Sequence, residues 1–237
     1  MQKGSAKVVF PTLIKTHFLS GARPLESTLR SILDHPNLAL PENAQPDVAG
    51  ILKYFKIWEK WNQKVNLTSE EDPLAFFRKH FFDSLQFCRV VEEHHLTMDI
   101  GSGGGFPGLP LKLVYPQLNI VLVESQRKRA NFLRQVVYEL GLQGIDVLQE
   151  RCQAIQSDPK YHNKFDRVVF RAVSRTAECL RLGGPFLSAS GQIVLKRSAD
   201  SAAQKTTKPG FELVKNVPVL GFNDKLSSLW VFTQCST

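Results

Sequence analysis

An acid and three alternating glycines, Asp99-Ile100-Gly101-Ser102-Gly103-Gly104-Gly105, are the residues best placed to hold a nucleotide-like ligand. Glycines at that spacing let the backbone turn sharply and approach a ligand closely. They follow a short apolar run, Leu96 to Ile100, and precede a helical pattern from about Pro107 to Val114. Such a unit offers free amides and the positive end of a helix dipole, which suit a carboxylate. A second acid, Glu124, ends the next apolar run, 23 positions after Gly101 (124 minus 101), where a carboxylate can accept both hydroxyls of an adenosine ribose. The pattern predicts S-adenosylmethionine as cofactor, with Asp99 directed to its methionine end. A nicotinamide dinucleotide is the alternative, because Gly103-x-Gly105-x-x-Gly108 formally matches that fingerprint. In that register the first glycine falls two residues late, Pro107 enters the loop and Asp99 has no role.

Methyl transfer is an in-line displacement. It needs a positioned acceptor, and a base only if the acceptor carries a proton. Methylation at pyrimidine C5 needs a cysteine after proline or threonine at a strand end; Cys88, Cys179 and Cys235 lie elsewhere and Cys152 follows Arg151. Exocyclic amines call for an Asn/Asp/Ser-Pro-Pro-Tyr/Phe loop after the fourth strand, where this chain reads Phe170-Arg171-Ala172-Val173. Asp158-Pro159-Lys160-Tyr161 precedes that strand and reads as a surface turn. No catalytic base stands out. Guanine N7 fits, since its lone pair is open in the major groove and carries no proton. Lys128, Arg129 and Arg134 share one helix and face either phosphates or solvent; Lys196 and Arg197, after the fifth strand, are candidate phosphate contacts. His80 and Asp83 either position RNA or tie their helix to its neighbours. Trp58 and Trp61 read as core, and Asn66 as a turn or cap.

These residues need a scaffold. Up to about residue 45 prolines interrupt any long period, with room for one helix from Leu25 to Leu33. Val48, Ile51, Leu52, Phe55 and Trp58 then mark an amphipathic helix ending near Gln63. A second helix starts at Asp72-Pro73, cap followed by proline, and runs to about Val91, burying Phe77, Phe81, Leu85 and Cys88. From Leu96 the period shortens. Strands are expected at Leu96–Ile100, Asn119–Glu124, Ile145–Gln149, Phe165–Phe170 and Gln192–Lys196, with a helix from Arg127 to Leu140 stopped by Gly141. Alternating strands and helices give a mostly parallel sheet. Phe211–Val219 and Leu226–Thr233 have no helix between them and should form an antiparallel hairpin at one edge. The layout is α/β, a Rossmann-like class I methyltransferase sheet. The expected division is a basic extension over 1–45, a helical cap over 46–95 and the transfer domain over 96–237.

The 237 residues carry a net charge of +8, which points to a polyanionic partner, nucleic acid before membrane. Four cysteines without C-x-x-C spacing suggest neither a zinc site nor a disulfide framework, so a reducing, cytoplasmic setting is expected. No apolar run approaches the roughly 18 residues of a membrane span. Lys3, Lys7, Lys15 and Arg23 without an acid read as a basic arm, with a transit peptide as the alternative.

Several strings together resemble one family. Gly101-Ser-Gly-Gly-Gly-Phe-Pro-Gly-Leu-Pro-Leu111 resembles the Gly-x-Gly-x-Gly-Phe-Pro-Gly-Ile-Pro-Leu signature of the bacterial small-subunit rRNA guanine-N7 methyltransferases, the RsmG or glucose-inhibited division protein B family. Trp61-Asn-x-x-Val-Asn66-Leu67-Thr68, Lys128-Arg129-x-x-Phe132-Leu133-Arg134 and Arg171-Ala172-Val173 are similar to further motifs of that family. Arg78-Lys-His80-x-x-Asp83-Ser84-Leu85 resembles its Arg-His-x-x-Asp-Ser-Leu box with one extra residue after the arginine. The likeness spans about Lys53 to Lys196. It implies a 16S rRNA or small-subunit assembly intermediate as substrate and a monomeric enzyme without a dedicated base. It also implies cofactor contacts at Gly101, Phe106, Cys152, Gln153 and Arg171, with Arg171 positioning the incoming base. Glu124 stands where the family has aspartate, Gln153 where it has glutamate and Phe170 where it has serine; the first 45 residues precede the usual family start.

Overall fold

The computed structural model describes residues 22–69, 73–171, 174–198 and 209–235. The basic arm and the Asp72 cap therefore lie outside the described residues. Helix α1 (Ala22–Leu33) leads into α2 (Val48–Val65). The Asp47 side chain caps α2 by accepting from the Gly50 amide at 2.9 Å, and Asn66 ends it in the left-handed region at φ 49°. The second expected helix is not one regular helix. It runs as α3 (Pro73–Ala75), a π turn (Phe76–Phe81), α4 (Phe82–Leu85) and a 3-10 turn (Gln86–Arg89). Its foreseen core residues, Phe77, Phe81, Leu85 and Cys88, are all buried.

The strands are β1 (Thr97–Ile100), β2 (Ile120–Val123), β3 (Ile145–Leu148), β4 (Phe165–Arg171), β5 (Leu187–Ser198), β6 (Phe211–Leu220) and β7 (Leu226–Gln234). They form one sheet in the order β3-β2-β1-β4-β5-β7-β6. The first five are parallel, and β7 runs antiparallel between β5 and β6. The expected terminal hairpin is present, with its first strand outermost. Strand β5 has twelve residues, longer than the apolar run that announced it, and its last seven pair with β7 from Gln192–Thr233 to Ser198–Ser227. The connections are α5 (Gly108–Val114), α6 (Arg127–Leu140, stopped by Gly141 at φ 62°) and α7 (Thr176–Gly183). The sequence reading gave no element to the α7 stretch, eight residues with little room for a period. Between β3 and β4 stands only a 3-10 turn (Cys152–Ile155) and irregular chain.

Side chains alternate across the sheet. Ile120, Leu122, Val169, Val194, Leu229 and Val231 face the layer made by α1, α2, the π segment, α5 and α6. Met98, Ile100, Val121, Val123, Val168, Phe170, Ile193 and Leu195 face α7 and the 152–165 connection. The broken helix and α2 thus share one continuous core with the sheet. Helices α2 and α6 are antiparallel neighbours: the Lys53 ammonium donates to the Glu139 carbonyl, Trp61 Nε1 to Gln135 Oε1 at 2.8 Å and Arg129 to the Asn66 carbonyl at 3.2 Å.

Candidate functional site

Because Met98 and Ile100 point to the α7 side, Asp99 between them points into the helical layer, where it is fully buried. One carboxylate oxygen accepts from the Gly108 amide at 3.0 Å; the other, Oδ1, has no partner among the described residues. Burial pushes the carboxyl up to about 7, against the pull of Gly108, Ser102 and Arg171. The loop above takes left-handed turns at Gly101, Gly103 and Gly105. At Gly105, φ 90°, an added Cβ would stand 2.4 Å from the Leu109 side chain and 2.8 Å from the Tyr54 hydroxyl. At Gly103 it would meet nothing closer than 3.8 Å. The loop is pinned on its cap side and open at Gly103.

Two expectations change in detail. The first turn of α5 does not offer the free amides foreseen for a carboxylate. Gly108 donates to Asp99, Leu109 donates to Gly105, and Pro107 and Pro110 have no N–H. Glu124 is buried at the end of β2, where its two oxygens accept from Gly103 at 3.0 Å and Gln126 at 2.7 Å. It is therefore a strut of the loop, with a second lone pair left on each oxygen. Cys152 is buried just past β3 with its thiol 3.4 Å from Gln153 Oε1, and burial raises that thiol above its ordinary range; Gln153 is exposed.

Phe106, expected against the cofactor, turns its ring toward the helical layer. Its ring packs near Tyr54 and Phe76, stacks with His80 at 5.1 Å and carries the Arg171 guanidinium 5.4 Å above it. Arg171, last residue of β4, donates to His80 Nδ1 at 3.1 Å and to the Lys79 carbonyl at 3.4 Å, and lies 3.9 Å from Asp83. An arginine can only donate, so His80 Nδ1 accepts and its ring proton sits on Nε2. Asp83 also holds Lys196 at 2.9 Å. His80 and Asp83 thus bind the broken helix to the ends of β4 and β5.

Beside this cluster lies a cavity of about 640 Å³. Arg78, Lys79, Arg171, Lys196, Arg197 and Lys225 line it, with Asp83 as the one carboxylate among the described lining residues and Phe222 from the β6–β7 turn as its aromatic wall. Arg78 lies over the Phe222 ring at 5.4 Å. Lys196 and Arg197 fall in this cavity; Arg197 also donates to Thr176 and to the Ser174 carbonyl. Lys128, Arg129 and Arg134 do not. Lys128 and Arg134 are exposed on α6 and Arg129 is held at Asn66. Trp58 is buried, as expected; Trp61 is only partly buried, packed against the core and tied to α6 through Gln135. Ala172 and Val173 lie outside the described residues.

Sequence reasoning missed three contributors. Tyr54 is buried in α2, and its hydroxyl donates to the Gly104 carbonyl, so the first helix holds the glycine loop directly. Its position three after Ile51 and one before Phe55 was the signal that could have placed it on the buried face. Arg78 and Lys79 enter the cavity because the π turn presents them, which no period announces. The Gly221–Lys225 turn arrives from the far end of the chain. Among the described residues, no helix is long and apolar enough to cross a membrane.

Comparison with known proteins agrees with this architecture. A MtNAS variant in complex with S-adenosylmethionine superposes with a TM-score of 0.55 at 18% identity, over 89% of this chain and 84% of its own. Methanogen TYW2 (M. jannaschii, in complex with AdoMet) gives 0.50 at 14% identity, over 65% and 75%. The fold is that of the class I methyltransferases. The Ribosomal RNA small subunit methyltransferase G of Acetivibrio thermocellus is 34% identical over 179 residues, 74% of each chain. That of Streptococcus thermophilus is 35% identical over 180 residues, 73% of this chain and 75% of its own. The model of the GidB family, rRNA small subunit methyltransferase G, matches residues 47–228, from the start of α2 to β7. With its glycine loop, Arg171 cluster and hairpin in one such frame, the chain belongs to the rRNA small subunit methyltransferase G family.

Proposed function

We propose that this chain transfers a methyl group from S-adenosylmethionine to N7 of a guanine in small-subunit (16S) rRNA, in the cytoplasm, on naked or partly assembled subunits. The observation that carries this reading is the position of Arg171. Through Phe106 it touches the glycine loop, and it also lines the cation-rich cavity, so one side chain joins a cofactor cradle to a polyanion pocket. The cradle fits the cofactor on two counts: the unpartnered Asp99 Oδ1 beneath it and the open approach at Gly103. When bound, S-adenosylmethionine supplies an electrophilic methyl on a sulfonium.

Glu124, its oxygens already oriented by Gly103 and Gln126, keeps lone pairs for a ribose diol. Gly101 permits close backbone approach, and Cys152 and Gln153 flank the adenine side. Arg171 is the positioning residue and can donate to guanine O6, leaving the N7 lone pair to attack. Among the described lining residues the one carboxylate, Asp83, is engaged by Lys196, which suits an acceptor that has no proton to lose. Residues 46–95 act as a cap that sets Tyr54, His80 and Asp83 against the transfer unit at 96–237.

Radiolabelled cofactor with 16S rRNA from cells lacking this chain tests the reading. Label is expected on N7 of one guanine. Label at another base atom, or intact cofactor binding with no labelled RNA, overturns it. Gly101→Asp should abolish cofactor binding by clash and charge.

A further inference from the structure

A second basic face lies away from the cavity. Helix α6 repeats exposed residues at i, i+4, i+7 and i+11: Arg127, Asn131, Arg134 and Tyr138. That spacing puts them on one line, roughly 16 Å long at 1.5 Å per residue. The line starts three residues after Glu124, at the rim of the glycine loop, and runs down the outside of the molecule. Lys128 borders it. Across the seam, Lys60 and Lys64 of antiparallel α2 stand exposed on the edge that faces α6. Among the described residues none of Lys60, Lys64, Arg127, Lys128 and Arg134 forms an ion pair, whereas Arg171 and Lys196 in the cavity share Asp83. At the far end of this line, one turn beyond Arg134, stands Tyr138, 86% exposed, the most exposed large apolar side chain among the described residues. Neither folding nor transfer chemistry requires an aromatic ring held in solvent at the end of a line of cations. Nucleic-acid surfaces use that combination: cations for phosphates and a ring on which a base stacks.

We propose that the α2–α6 face is a second RNA-binding surface, along which the rRNA backbone leaves the cavity, with Tyr138 stacking on an unpaired base. This rests on the reading of the chain as an rRNA methyltransferase. The cavity then selects the target guanine, and the outer face supplies affinity and register.

The test uses the full-length chain and a 16S rRNA fragment containing the methylated guanine. Wild type is compared with Lys60→Gln/Lys64→Gln/Arg134→Gln and with Tyr138→Ala. The triple variant should flatten the slope of log affinity against log salt by about 2 to 3, near one for each lost phosphate contact. Tyr138→Ala should weaken binding about tenfold with the slope unchanged. In both variants, cofactor affinity and melting temperature should match wild type, and KM for RNA should rise more than kcat falls. Unchanged RNA affinity and slope in both variants, with wild-type methylation, would overturn the second surface alone. Wild type that neither binds nor methylates the fragment would overturn the methyltransferase reading, and this surface with it. Weakening of the variants on an acidic protein or anionic vesicles but not on RNA would also reject the proposal.

Discussion

Asp99 is the residue whose chemistry is most out of the ordinary. It is buried, one oxygen is unsatisfied, and its carboxyl titrates at about 7 where an ordinary aspartate titrates near 4. A folded-state value above the unfolded one means the fold prefers the protonated acid. Its contribution to stability is complete below about pH 4 and is lost as pH rises through 7. Asp99→Asn keeps an acceptor for Gly108 and removes the charge. We expect equal melting temperatures for wild type and Asp99→Asn near pH 4, and a variant that becomes the more stable of the two by pH 8, by up to roughly 4 kcal/mol. Melting curves from pH 4 to 9 measure this; a difference constant with pH would mean that Asp99 ionises normally. Asp83, unlike Asp99, has cationic partners. It holds Lys196 closely and Arg171 more loosely at side-chain exposures of 13–20%. Asp83→Asn should cost about 1–2 kcal/mol, below the cost of breaking a fully buried pair, and lower kcat about tenfold as the two cations lose their common anchor. Denaturant unfolding and steady-state methylation check both figures.

At the scale of elements, the loop is held by a helix that precedes it by some fifty residues in sequence. The Tyr54 hydroxyl of α2 satisfies the Gly104 carbonyl, and its ring packs near Phe106. Tyr54→Phe leaves that carbonyl without its donor. We expect a loss of about 1 kcal/mol and several-fold weaker cofactor binding, read by calorimetry; unchanged binding would show that α2 merely covers the loop. Gly105→Ala meets both a left-handed φ and a Cβ 2.4 Å from Leu109, so it should cost more than 2 kcal/mol. Denaturant unfolding checks this. The strands, the glycine loop and α6 were legible because each shows a clean period bounded by a cap or glycine; Arg127 to Leu140 agrees to the residue. The π turn was not, because the 3.6-residue period that announces a helix fails where one residue is wound in. The cavity was legible only in halves. Lys196 and Arg197 follow from their strand, but Phe222 and Lys225 enter through β-hairpin geometry that no local pattern encodes.

Across the whole molecule, the helices before the sheet and the sheet itself are one packed body. Phe76, Phe77 and Phe81 of the π turn bury into the same cluster as Val169, Val194 and Leu229 of β4, β5 and β7. The helices before the sheet have no core apart from this shared cluster, while the sheet has a second one against α7; loss of the shared cluster would uncover one whole face of the sheet, so unfolding should be a single cooperative event. The tryptophans can report this by position: Trp58 and Trp61 stand in α2, Trp230 in β7. Ligand binding at the glycine loop stabilises whatever unfolds together with it. At a cofactor concentration about a hundredfold above Kd, the gain is about 2.7 kcal/mol, which for a chain of this length raises Tm by roughly 5–10 °C. In Trp230→Phe, fluorescence comes only from α2, distant in sequence from the loop. We expect that signal to shift by the same number of degrees as far-ultraviolet circular dichroism when S-adenosylmethionine is added. Two separable bodies would give a different result: the dichroism would move and the α2 fluorescence would stay in place. The coupling matters for the reaction, because the side chains that set Arg171, namely His80 and Asp83, belong to the helical layer while Arg171 belongs to the sheet. A cofactor that tightens the loop therefore also tightens the groups that receive the RNA.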